Sequence, residues 1–132
     1  MTTKVWEPEN KKESTIDNGL LDKFIQIIRN CEAGNIKRYL TDVEKNKFYI
    51  LRLSDEIWLE SLNDFDNSEL LDLIKFFTLI EMQLDDWISG ENSPVIKINK
   101  MLKKRGIKLD HKMLLWIKKN SSNRYIPNGK IL

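Results

Sequence analysis

Residues 68–90, SELLDLIKFFTLIEMQLDDWISG, carry apolar side chains on almost every side of a helix. Leu70, Leu73, Ile74, Phe76, Phe77, Ile80, Leu84, Trp87 and Ile88 recur at helical spacing, while Leu71, Leu79 and Met82 lie opposite them. A helix that is apolar nearly all round has to be covered all round, which makes it the central member of a bundle. The pattern predicts one element of about six turns from Ser68 to Ser89, with Gly90 beyond its end.

The rest of the chain supplies covering helices. Asp17 precedes LLDKFIQIIRNCEAG, where Leu20, Leu21, Phe24, Ile27, Ile28 and Cys31 share a face and Gly34 is the expected stop. Over 36–62 the apolar residues fit two short helices or one bent one. Thr41 to Glu44 has the form of a capping box, and Ser54 before Asp55 and Glu56 resembles a second start. The FYILRL stretch has strand propensity but no partner strand elsewhere, so helix is preferred. Ser93 then caps a helix with Pro94 at its first position, running to Gly106, and Asp110 opens a last helix through Lys119. The expected fold is therefore all-α: a single-domain bundle of five or six helices over 17–132, preceded by a loose polar arm, 1–16, in which Val5 and Trp6 are candidates for docking on the body. The NRYIPNGKIL end is rich in residues of specific shape and is expected to pack back on the bundle.

Composition narrows the class further. With 41% apolar and 32% charged residues the chain is too apolar for wholesale disorder. It holds no long uncharged apolar run, and its first fifteen residues lack the apolar core of a secretory signal. The single cysteine, Cys31, has no internal disulfide partner, which fits a reducing compartment. A cytoplasmic location is the expectation.

The net charge of +2 hides a segregation. Residues 54–94 hold eleven acids and one base, whereas 95–132 hold eleven bases and one acid, Asp110. Such asymmetry marks a candidate interaction surface. Lys97, Lys100, Lys103, Lys104, Arg105, Lys108, Lys112, Lys118 and Lys119 are the candidates for binding phosphate or an acidic partner. On the first basic helix Lys97, Lys100, Lys103 and Lys104 are expected to face outward, opposite Val95, Ile98, Met101 and Leu102. On the second, Met113, Leu114, Trp116 and Ile117 are expected to face inward. Two short basic helices joined by RGIKL invite comparison with a helix-turn-helix, but Leu102 stands where such a unit needs a small residue. The simplest alternative is that the lysines are solvated or face the acidic segment of the same molecule or of a second copy, which needs only ~0–1 kcal/mol per exposed pair.

Catalytic constellations are sparse. Glu81, at the edge of an apolar face with Asp85 one turn on, is a candidate buried or paired carboxylate; it is read as bonded to a Lys or Arg of the basic tail rather than as a metal ligand. ELLD at 69–72 matches half of the ExxE and ExxD signature of all-α nucleotide pyrophosphohydrolases, but Glu56 and Glu60 are four apart rather than three. His111 is alone, Cys31 sits on an inward stripe, and the five glycines form no phosphate loop. No catalytic residue, metal or cofactor is assigned. Trp87 and Trp116 are expected in the core, with Trp6 and Trp58 less firmly housed.

The motifs SPVI, LKKRG, WIKKN and NRYIPNG, within residues 93–129, resemble a family of small uncharacterised bacterial proteins. The resemblance implies no activity or site. The functional expectation is a non-enzymatic helical protein acting through protein–protein contacts, with self-association included. The alternatives are nucleic-acid binding through 94–119 and, less favoured, a carboxylate-metal enzyme.

Overall fold

The computed structural model describes residues 14–31 and 34–130. The expectations for the 1–13 part of the arm, including Val5 and Trp6, lie outside them. Among the described residues there are six α-helices and no strand: α1 Asn18–Asn30, α2 Asp42–Lys45, α3 Asp55–Leu62, α4 Asn67–Gln83, α5 Pro94–Lys104 and α6 His111–Asn120. Short 3-10 turns link them, and FYILRL is one of these, Phe48–Arg52, rather than a strand. No helix here is long and apolar enough to cross a membrane.

Local capping chemistry sets most helix starts. Asp17 accepts the Gly19 N–H at 2.8 Å, and Asp110 accepts the Met113 N–H at 2.8 Å. Thr41 with Glu44, and Asp66 with Glu69, form complete capping boxes that satisfy first-turn donors in both directions. At the end of α5 the Ile107 N–H reaches the Leu102 carbonyl and the Gly106 N–H the Lys103 carbonyl, a Schellman stop. Gly106 sits there at φ +78, where a Cβ would be strained.

α4 is central, packing mainly on α1 and α5 and also on the turns Ile36–Tyr39 and Asp85–Trp87 and on α6. Its Phe76 stacks on Phe24 of α1 at 4.0 Å between centroids. Phe77 meets Phe24, Phe76, Trp58 and Trp87, mostly edge to face. Trp58 and Trp87 are fully enclosed, and each finds a backbone carbonyl for its indole N–H, Ile50 at 2.9 Å and Lys45 at 3.0 Å. Trp58 is thus core. Packing reaches back to Ile16, which is buried.

α4 stops at Gln83, six residues short of the expected Ser89. Leu84 leaves the helix at φ −129 and ψ 119, and the tight turn Asp85–Trp87 folds back so that Trp87 enters the aromatic core beside Phe24. Ile88, expected on the apolar face, is consequently 61% exposed, and Met82 is also exposed.

α5 is the second buried helix. Pro94 to Asn99, Met101 and Leu102 are all buried because α4 and α3 flank it and the last residues lie across it. Asn99 donates to the Pro127 carbonyl at 3.1 Å, and Ile126 and Pro127 are buried, so the C-terminal segment packs back on the bundle.

Truncating the ring at the centre of the aromatic cluster, Phe77→Ala, is expected to lower stability by about 3–5 kcal/mol, read as a lower midpoint in urea with an unchanged slope.

Candidate functional site

The nine basic candidates divide into two groups. Lys97 does not face outward: it is 6% exposed, its stem is covered by the helices around α5, and its ammonium lies 3.4 Å from both Asp55 of α3 and the Asn92 carbonyl. The helical projection failed because α5 is covered on more than one side. Lys100 reaches the other oxygen of the same carboxylate at 3.0 Å, and Lys103 donates to Asn128 at 3.3 Å. Arg105 spans the end of α3, donating to the Leu62 and Asn63 carbonyls at 3.4 Å and to Asn67 at 3.0 Å. A planar fork of donors at a helix C-terminus satisfies carbonyls that the helix leaves open and complements its dipole. These four hold the bundle together.

The other five, Lys104, Lys108, Lys112, Lys118 and Lys119, are exposed, and their side chains make no hydrogen bond or ion pair among the described residues. Lys108 and Lys112 stand over a groove of about 350 Å³ between α4, α6 and the loop joining α5 to α6. Leu71, Ile107, Met113 and Trp116 give it an apolar lining, with Lys75 and Asp110 at its edge. Lys75 sits 6.0 Å from the Trp116 ring centroid, within reach of a cation–π contact. Trp116, expected in the core, is therefore a half-buried groove residue. Leu114, expected inward, is 37% exposed and Leu115 is 52% exposed, so α6 presents leucines and free ammonium groups together. Only Ile117 of this helix is buried, because α6 lies on the outside of α4.

Among the described residues the acidic segment forms ion pairs with the basic one at a single residue, Asp55. Its hydrogen bond from Lys100, helped by the nearby Lys97 charge and opposed by partial burial, holds its carboxyl below the ordinary value of 3.8. Glu44 is also held low. Burial pushes it up, but the Lys23 ammonium and the Thr41 N–H and hydroxyl outweigh that.

Glu81 is buried, and its partners are not the Lys or Arg of the basic tail. The carboxylate accepts the Ser89 N–H at 2.9 Å, the Gly90 N–H at 3.1 Å and the Asn123 side-chain amide at 3.1 and 3.2 Å. Asn123 also donates to the Gly90 carbonyl at 2.9 Å. Gly90, at φ +55, is the turn that this arrangement requires. Asp85 lies past the end of α4 and is exposed, so it does not converge with Glu81 at the i and i+4 spacing of one helix. Among the described residues no three His, Cys, Asp or Glu side chains are grouped to hold a metal ion. Cys31 is half-buried, its thiol 3.6 Å from the Ile28 carbonyl, and His111 is exposed at the start of α6.

Three features escaped sequence reasoning: the Glu81–Asn123 tie, the Arg105 cap and the α4–α6 groove. Each joins residues more than thirty positions apart, and none has a local signature. No protein-family model, curated protein or solved structure matches the chain.

Two outcomes follow from this geometry. Asp55 has a depressed carboxyl in the folded chain, so its stabilisation is complete above its unfolded value and is lost as the pH falls through its folded one. The stability gap between the parent chain and Asp55→Asn should hold at neutral pH and close below pH 3.8, measured by denaturant midpoints across that range. Glu81→Leu strands buried donors that cost roughly 1–3 kcal/mol each, so a loss of about 3 kcal/mol is expected, with faster hydrogen exchange at Ser89, Gly90 and the C-terminal segment.

Proposed function

We propose that this chain is a non-enzymatic binding protein that acts through protein contacts, and that α6 with its neighbouring groove is the contact surface. One observation carries the reading: exposed leucines stand among lysines that have no partner within the described molecule. Protein interfaces combine an apolar centre with a polar rim, and both parts of α6 have that composition: Trp116 and Met113 in the groove with Lys108 and Lys112 at its rim, and Leu114 and Leu115 among Lys118 and Lys119 on the outer side of the helix. The free ammonium groups select for an acidic partner and speed its approach.

Nucleic-acid binding is the alternative, supported by the same five free lysines. A phosphate backbone, however, offers nothing to cover Leu114 and Leu115, and four of the nine candidate cations are already engaged inside the fold. The helix-turn-helix comparison is weakened as well, since α6 rests on α4 and its apolar side chains are partly open.

Selection from a random peptide library separates the readings. The parent chain should enrich peptides that mix acids with apolar residues, and Leu115→Glu or Lys112→Glu should lose them while keeping the same helical content by circular dichroism. Titration with duplex DNA and single-stranded RNA should show no steep dependence of log K on log salt. Peptides without an acidic bias, or a salt slope that Lys112→Glu flattens, would count against the proposal.

A further inference from the structure

The α4–α6 groove gives any partner a required character, since ammonium groups around an apolar floor call for carboxylates around apolar side chains. A second surface of the same chain has that composition. Where α4 ends, Asp85 and Asp86 share a hollow with Asp42, and Asp85 also borders the adjoining hollow with Met82 and Ile88. Met82 is 50% exposed and Ile88 61% exposed, so this face too leaves apolar groups uncovered. Two cations border these hollows: Lys45, and Arg124, which is turned onto Tyr125 with its guanidinium 5.2 Å from the ring centroid and 3.2 Å from the hydroxyl.

We infer that the partner is a second copy of the chain, the acidic face at the end of α4 in one molecule docking on the basic groove of another. The inference rests on α6 being a protein-contact surface and adds the identity of what it contacts. The placement of the two faces allows a closed contact. Met113, near the start of α6, shares the groove with Leu71, early in α4, whereas Ser122, just past the end of α6, donates to the Met82 sulfur near the end of α4. The two helices therefore run in the same direction, with the basic groove towards one end of the pair and the acidic face at the other. Two copies laid side by side in opposite directions bring each groove to the other's acidic face. Such a contact is isologous: it is made twice and leaves neither face open for a third molecule.

Sedimentation velocity over a concentration series tests this with the full chain. At low salt the chain should form a dimer that dissociates as salt is raised. Lys108→Glu with Lys112→Glu should weaken it at least about tenfold, and Asp85→Lys with Asp86→Lys should do the same, since each pair removes rim attractions worth about 1.4 kcal/mol together. Mixing the two variants should restore a dimer, because the reversed groove of one then faces the reversed acidic face of the other. Circular dichroism confirms that each variant is folded, and Lys112→Gln with Asp86→Asn supplies a milder pair if either is not. A parent chain that stays monomeric at low salt, a dimer indifferent to both variants, or a mixture that stays monomeric would each overturn the inference. The peptide selection reads the α6 face independently, so a monomeric chain that still selects acidic peptides loses the self-pairing alone.

Discussion

The buried carboxylate of Glu81 holds both the turn that ends the longest helix and the segment that follows α6. A carboxylate removed from water needs several donors, and here two come from the backbone of Ser89 and Gly90 and one from the Asn123 side chain. Meeting that need folds residues 84–90 back over the end of α4, so the apolar run cannot continue as one helix. The same carboxylate holds the segment after α6. α6 is therefore fixed on α4 at two places, by Trp116 and Met113 near Leu71 and by Asn123 at Glu81. Both surfaces follow from this: the groove is what α6 leaves open beside α4, and Asp85, Asp86 and Ile88 are exposed because the helix ended before them.

The basic segment does two jobs that its composition does not separate. Lys97 and Lys100 bracket Asp55, and Arg105 closes α3, which ties α5 to α3 by charge at both ends of their contact. A buried ammonium is tolerated only with a carboxylate and a carbonyl beside it, and Asp55 and Asn92 provide them. Past Gly106 the chain turns away from this contact. The lysines that follow meet no acid among the described residues, although the 54–94 segment carries eleven acids against one base. Charge segregation along the chain thus becomes charge separation on the surface.

What could be read in advance was what is decided locally. Asp17, Thr41, Ser54, Ser93 with Pro94, Gly106 and Asp110 mark helix ends within a few residues, because a cap is a contact between near neighbours. The all-α architecture followed from periodicity for the same reason. Lys97, the end of α4 and the partners of Glu81 were not legible. Each depends on which element lies alongside, and a helical projection has no term for a second neighbour. Leu114 failed in the opposite sense: its position predicts a buried face, but α6 has a neighbour on one side only. The groove fell between these cases. The sequence marks Lys108 and Lys112 by charge and Trp116 by apolar spacing, and what assembles them is the docking of α6 on α4.

The placement of α6 also bears on energetics. With Ile117 its only buried side chain, this helix contributes less apolar burial to the bundle than α4 or α5, whose faces are covered nearly all round. Its attachment relies in part on polar contacts at its C-terminal end, where Asn123 meets Glu81. A partner that covers Trp116, Met113 and Leu71 would supply apolar burial that the fold itself withholds, at roughly 25 cal/mol per Å² removed from water. Binding there and the docking of α6 on α4 are then linked: whatever occupies the groove holds the helix in place, and loosening the Glu81 tie weakens the surface that the partner reads.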